Sequence, residues 1–321
     1  MFLNFLIATT LFLWASSYSD AHQVDAITPI QWPEKITPKM LLGKRLFFDK
    51  RLSRDYETSC ASCHQFERGG SSFEKRPIQY SGKPTKHNAT SIFNLTQNYN
   101  LGWIGQFTSA EFHLNNLISE NKEMGLSWKE IELRIKQDAE YVKLFAKVFT
   151  GKEVGGYITR ENISQAIVTY EHALTTPSAF DLYIQGDKTA ITEQAIQGFE
   201  LFQDYGCVSC HQGKNIGGNL LQKLGVFEAY QPSASVEDRT YLGRYNYSGK
   251  NIDRQVFRVP SLRNVALTSP YFHDGSIGDL ETVIKLMAKH QLGRSLTNMD
   301  IALIVAFLQS LNGMPHPELI P

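Results

Sequence analysis

Apolar positions recur every three or four residues along much of the chain, a spacing that predicts helices. Ser127-Trp128-Lys129-Glu130 reads as a capping box ahead of Ile131, Ile135 and the Tyr141–Phe149 stretch. Thr159 stands before a run with Ile163, Ile167 and Tyr170 on one face. Thr176-Pro177 ends that run, because the residue before proline is pushed out of the helical region. Thr192 opens another helix through Ala195, Ile196, Phe199 and Phe202. Ser276–Ala288 and Thr297–Leu311 make two more, the last stopped by Gly313, Pro315 and Pro317. Leu221–Val256 lacks a steady period and reads as loop with short strands or turns. A linker is placed at Thr176–Thr189, where Pro177 and Gly186 stand among polar residues. Thr28–Asp55 packs on either side of it.

The N-terminus breaks the pattern. Phe2–Ala15 is almost wholly apolar, and Ser16, Ser17 and Ser19 follow. Residues 1–21 read as a signal peptide, which places the mature protein in the periplasm. The first residues lack Lys or Arg, so an uncleaved anchor is the alternative, although the run is short for a span. Ile301–Leu311 is also short and apolar, and reads as a core helix.

The chain has 321 residues, 42% of them hydrophobic, enough for one large or two ordinary domains. A formal net charge of zero gives no footprint for nucleic acid. The four cysteines change the picture more. An even count in an exported chain first suggests disulfides. Instead, every cysteine falls in one of two Cys-x-x-Cys-His motifs: Cys60-Ala61-Ser62-Cys63-His64 and Cys207-Val208-Ser209-Cys210-His211. In a c-type haem site both thiols add to the haem vinyl groups and the adjacent histidine ligates iron. One helical turn places both sulfurs along one haem edge. Zinc would want a more distant histidine, and a thioredoxin-like pair would not need histidine twice. Two covalent haem c groups are therefore the expected cofactors.

These residues and several further blocks resemble the bacterial di-haem cytochrome c peroxidases, the family that includes the protein-modifying enzyme MauG. The likeness starts at Leu42-Gly43-Lys44-Arg45-Leu46-Phe47-Phe48-Asp49. It continues through the first haem motif, Glu123-Met124-Gly125, Thr176-Pro177-Ser178-Ala179-Phe180-Asp181 and the second motif. It is densest at Val259-Pro260-Ser261-Leu262-Arg263-Asn264-Val265-Ala266-Leu267-Thr268-Ser269-Pro270-Tyr271-Phe272-His273-Asp274-Gly275. Met287 and Gln291-Leu292-Gly293 follow.

The resemblance implies a mainly α protein, with two cytochrome c-like haem domains packed face to face. Residues 22–180 would hold the peroxidatic haem on His64, and residues 181–321 the electron-entry haem on His211 with Met287 as its sixth ligand. Without the family, Met287 is an ordinary core methionine. Glu123 matches the catalytic carboxylate, which would shuttle a proton between the peroxide oxygens. Trp103 matches the tryptophan between the haems, where it would also serve as a buried apolar anchor. Asn88, with the carbonyls of Thr268 and Pro270, matches an interdomain calcium site. His273 would sit near a propionate or the interface.

Three departures from the family stand out. The histidine that caps the resting peroxidatic iron in many members falls on Tyr80 or on no residue, and a solvent-facing loop tyrosine is the expectation. His113 occupies the position of a pocket glutamine, either as a second proton-sharing group or as a packed helix residue. Gly105-Gln106 replaces a usual Gly-Arg, and His87 lies in the same variable region without an assignment to iron.

The leading functional expectation is reduction of hydrogen peroxide to water with electrons from a small cytochrome c or cupredoxin. A second is MauG-like oxidation of a side chain, such as tryptophan, on a partner protein. Met287 speaks against a close MauG copy, which has tyrosine there. A third is a non-catalytic di-haem electron carrier or sensor. The family is commonly dimeric, so a homodimer is the assembly it implies.

Overall fold

Most helices in this protein start at a side chain that can cap them. The computed structural model describes residues 27–118, 123–149, 156–230 and 239–321; the signal peptide read over 1–21 lies outside them. Helix α1 (Pro38–Phe47) follows Thr37, whose hydroxyl accepts the Met40 amide. A single turn, α2 (Cys60–Cys63), carries the first haem motif. Then come α3 (Ala110–Leu117) behind Ser109 and α4 (Trp128–Lys136) behind the Ser127–Glu130 box. Asp138 caps α5 (Ala139–Val148), and Thr159 caps α6 (Arg160–Ala173). Helix α7 (Ala179–Ile184) starts after Ser178, and Thr192 caps α8 (Glu193–Asp204). A short α9 (Tyr245–Ser248) precedes α10 (Leu280–Leu292) behind Asp279 and α11 (Asn298–Ser310) behind Thr297. Each such cap contributes on the order of 1 kcal/mol.

Strands β1 (Leu221–Lys223) and β2 (Val256–Arg258) pair antiparallel, with Leu221 opposite Arg258. No helix among the described residues is long and apolar enough to cross a membrane.

Two readings of the sequence change. The stretch read as a linker contains α7, whose Phe180 is fully buried against Phe199 and Phe307. The helix expected from Ser276 starts at Leu280 instead. Asp279 accepts the Thr282 amide and fixes the start there, while Tyr271 and Ile277 form a bridge just upstream.

The apolar faces gather into separate cores. One joins α1, α4, α5 and α6 through Leu42, Leu46, Ile131, Ile135, Phe145, Ile163 and Ile167. Another joins α7, α8, α10 and α11 through Phe180, Phe199, Phe202, Ile284, Ile304 and Phe307. Phe307 centres it, with three phenylalanine rings between 5.1 and 5.2 Å away. Burying one such ring contributes about 1.5–3 kcal/mol. The first and last described segments cross over. Ile27 packs in the second core, whereas Leu319 packs against Phe47 and Tyr170, and Tyr170 Oη donates to its carbonyl at 2.8 Å.

Candidate haem sites

The two Cys-x-x-Cys-His motifs open onto separate cavities that meet at a shared wall. Helix α2 is set by the Ser59 amide, which donates to Ser62 Oγ at 3.0 Å. The chain then turns back so that His64 Nδ1 lies 3.0 Å from the Gly70 carbonyl. With Nδ1–H donated there, Nε2 is the nitrogen left for a metal. Burial holds His64 below the usual imidazole range, with that bond opposing.

Cys60, Cys63 and His64 line the first cavity together with His113, Leu114, Glu123, Met124 and Glu171; it is narrow, about 70 Å³. His113 packs on the Phe107 ring at 4.5 Å and also borders the cavity. Burial first, then His64 and Arg258, push it down to about 4, so it is neutral at neutral pH. Tyr80 is half-buried rather than solvent-facing. Its ring covers Gly125, and the Arg54 guanidinium lies 5.5 Å from its centre.

The second motif follows α8 in a tight turn, Cys207–Ser209. Its cavity is about 440 Å³, within the range of ligand sites. Cys207, Cys210, His211 and Met287 all border it, with Phe202, Ile284 and Leu308 as apolar wall. Burial pushes His211 down to about 4, with the backbone of Ile216 and Pro260 opposing. Its Nδ1 is buried and has no hydrogen bond of ordinary geometry.

Trp103, Asn88, Thr268, Pro270 and His273 line this second cavity, whereas Thr90, Ser91, Asn98 and Arg258 border both. Trp103 Nε1 donates to the Asn88 carbonyl at 2.9 Å, and the Asn88 amide donates to the His273 carbonyl at 2.9 Å. The His273 ring stacks on Phe257 at 4.5 Å and meets the Trp103 ring edge-on at 6.5 Å. His87 lies edge-on to His273 at 6.3 Å. The Asn88 side chain donates to the Glu74 and Lys75 carbonyls. Among the described residues no cluster of His, Cys, Asp and Glu is arranged to hold a metal ion.

Each pair of cysteines lies with its adjacent histidine in the wall of one cavity, a donor set that fits a c-type haem. All four cysteines are unbridged. Burial and then the Glu123 carboxylate push Cys63 up to about 11, and burial pushes Cys207 to about 11.

A profile of the family described as di-haem cytochrome c peroxidase matches residues 37–189. The cytochrome c551 peroxidase of Nitrosomonas europaea is 36% identical over 301 residues, covering 92% of this chain and 87% of that protein. The chain belongs to the di-haem cytochrome c peroxidase family. The methylamine utilization protein MauG of Methylophilus methylotrophus is 30% identical and covers 86% of this chain and 82% of that protein. The crystal structure of a MauG-like protein associated with microbial copper homeostasis superposes with a TM-score of 0.76 at 28% identity. It covers 92% of this chain and 97% of that one. The protein is thus a mainly helical haem peroxidase of this family.

Two residues that border the first cavity of this di-haem peroxidase went unnoticed in the sequence. Glu171 sits on α6, where burial and then Glu111 push it up to about 8. Arg258 ends β2 and borders both cavities. The available signal for Arg258 was a lone cation within Val256-Phe257-Arg258-Val259, since charges in apolar runs are seldom buried without a partner.

Proposed function

We propose that this protein reduces hydrogen peroxide to water in the periplasm, taking electrons one at a time from a small cytochrome c or cupredoxin. The contrast between the cavities carries this reading: Glu123 and His113 border the His64 cavity, whereas Met287 borders the His211 cavity. A thioether ligand favours ferrous iron and suits electron entry. A carboxylate beside the other site suits proton movement during O–O cleavage.

When bound, haem supplies the iron at which peroxide is reduced. The cysteine pairs would hold each haem by thioether bonds, and the Gly70 carbonyl would orient His64. Glu123 takes the proton from one peroxide oxygen and returns it to the other. His113, neutral at the working pH, keeps an N–H for a hydrogen bond without adding charge. Two electrons and two protons from outside complete the conversion of peroxide into two waters. Trp103 lines the second cavity and its carbonyl accepts the Arg258 amide beside the first, which suits an electron relay. Asn88, Thr268 and Pro270 line the same cavity and supply the oxygen type that calcium prefers. Residues 22–180 and 181–321 would form the two haem units, with Ile27 packed in the second core and Leu319 against Phe47 and Tyr170.

The test is turnover of hydrogen peroxide with a reduced small cytochrome c. Glu123→Gln should slow it by about 10²–10⁴-fold with both haems attached. An unchanged rate removes Glu123 from the proton path.

One observation favours oxidation of a partner protein's side chain as a second reading. Ile78 and Gln79 border the His64 cavity, but Tyr80 is turned onto Gly125. A haem iron held there without a capping side chain would be open to peroxide at rest. An immediate optical change when one equivalent of peroxide meets the fully ferric protein favours this reading. A response only after one haem is reduced favours reductive activation.

A further inference from the structure

Arg258 stands where the two cavities meet. The residue is 6% exposed and borders both of them. Strand pairing holds its backbone, and its amide donates to the Trp103 carbonyl at 2.8 Å. Its Nε donates to the Gly102 carbonyl at 3.0 Å, and its Nη1 to Asn98 Oδ1 at 2.7 Å. Both acceptors are neutral. Among the described residues no carboxylate pairs with it.

Arg263 marks the contrast. It is 2% exposed, and its guanidinium meets the Asp181 carboxylate through two bonds of 2.7 Å. A buried charge ordinarily has such a partner, because removing an ion from water costs several kcal/mol. Burial alone draws the Arg258 guanidinium down to about 10, with no carboxylate acting against it. Its field also reaches His113 and helps to keep that imidazole neutral. The charge is therefore held in place by a strand and two neutral acceptors, and its counter-ion is not part of the polypeptide. The cofactor of this family carries such anions: each haem has two propionate carboxylates.

We propose that Arg258 is the shared counter-ion for propionates of both haems, and that it couples the electrostatics of the two sites. This rests on the di-haem reading of the two motifs. Arg258 is a positioning residue: its guanidinium pairs with the cofactor's carboxylates at the shared wall and does not touch peroxide. A positive charge near both irons disfavours the ferric state, so it raises both midpoint potentials.

The experiment is a spectroelectrochemical titration of the holoprotein and its Arg258→Gln and Arg258→Lys variants, with haem content measured first by pyridine haemochrome. Two haems per chain in the unaltered protein secure the reading beneath the proposal; fewer would overturn that reading rather than the role of Arg258. Arg258→Gln should lower both midpoint potentials, and Arg258→Lys should keep most of each. With both haems attached, a shift at one haem only, or at neither, overturns the proposal. So does an equal fall in the Lys and Gln variants. If Arg258→Gln yields no folded holoprotein, resonance Raman spectra of Arg258→Lys decide. The propionate bending bands should shift at both haems, and unchanged bands overturn the pairing.

Discussion

Arg263 and Asp181 form a doubly bonded ion pair from which water is excluded, with both contacts at 2.7 Å. Asp181 also accepts the Ser178 amide and hydroxyl at 2.7 Å and the Ile30 amide at 2.9 Å. Arg263 Nε donates to the Lys214 carbonyl, just beyond the second haem motif. One carboxylate thus ties the leading segment, α7 and the segment around Arg263 together. Removing it strands a buried guanidinium. Asp181→Ala should lower the stability of the holoprotein by about 3–5 kcal/mol, read as a lower urea midpoint at unchanged slope. A change within the roughly 0.5 kcal/mol typical of surface substitutions would show that the pair does not hold these segments.

Helix α8 leads straight into the second haem motif, and its contact with α11 depends on Gly198. A methyl group there would collide with the Leu303 carbonyl, a backbone atom that cannot swing aside. Gly43 on α1 meets the Ala166 carbonyl of α6 in the same way. Alanine is the better helix former by about 1 kcal/mol. Overpacking opposes that gain with about 1–3 kcal/mol, and more where backbone must move. Gly198→Ala should therefore melt at a lower temperature than the unaltered protein. A higher melting temperature would exclude so close an approach of α8 and α11.

Helix starts were legible because each rests on local chemistry: Thr159, Thr192 and Thr297 cap where expected, and Ser127 pairs with Glu130. The haem motifs were legible for the same reason, since five adjacent positions carry each one. Features made by distant segments were not. Phe180 follows a proline and looks like linker, yet it is buried by rings from α8 and α11. Tyr80 looked like a loop side chain because nothing local shows that Gly125 leaves room for its ring. Arg258 gave only the faint signal of a cation in an apolar run. Its importance comes from two cavities assembled by residues far away in the sequence, such as Asn98, 160 positions before it.

Asp55 supports the turn that presents Cys60. Its carboxylate accepts from the Ser53 hydroxyl at 2.6 Å, the Glu57 and Thr58 amides at 3.0 and 3.2 Å, and the Thr58 hydroxyl at 2.9 Å. Burial pushes its pKa up, but these bonds outweigh it and bring it from 3.8 to about 2. A lowered carboxylate stabilises the fold above its unfolded value, and that contribution disappears as pH falls through the folded value. The contribution is therefore intact above 3.8 and gone below about 2. Thermal melts across this window should show a steeper acid decline in the unaltered protein than in Asp55→Asn. Parallel curves would mean that the turn does not depend on the charge.

Met287 lies one turn beyond Ile284 on α10, and both border the His211 cavity. A core methionine and an iron ligand would look alike at this position, and stability alone cannot separate them. Methionine in a core tolerates substitution and fills gaps, so Met287→Leu should fold with little loss, since such swaps usually cost under about 1.5 kcal/mol. Potential does separate the two roles. A thioether ligand raises the potential of its haem by favouring ferrous iron. Met287→Leu and Met287→Ala should therefore both lower the midpoint potential of the His211 haem and leave the His64 haem close to its original value. If Met287 is only packing, Leu should leave both potentials in place. A fall at both haems would instead point to a general loosening of the wall that the two cavities share.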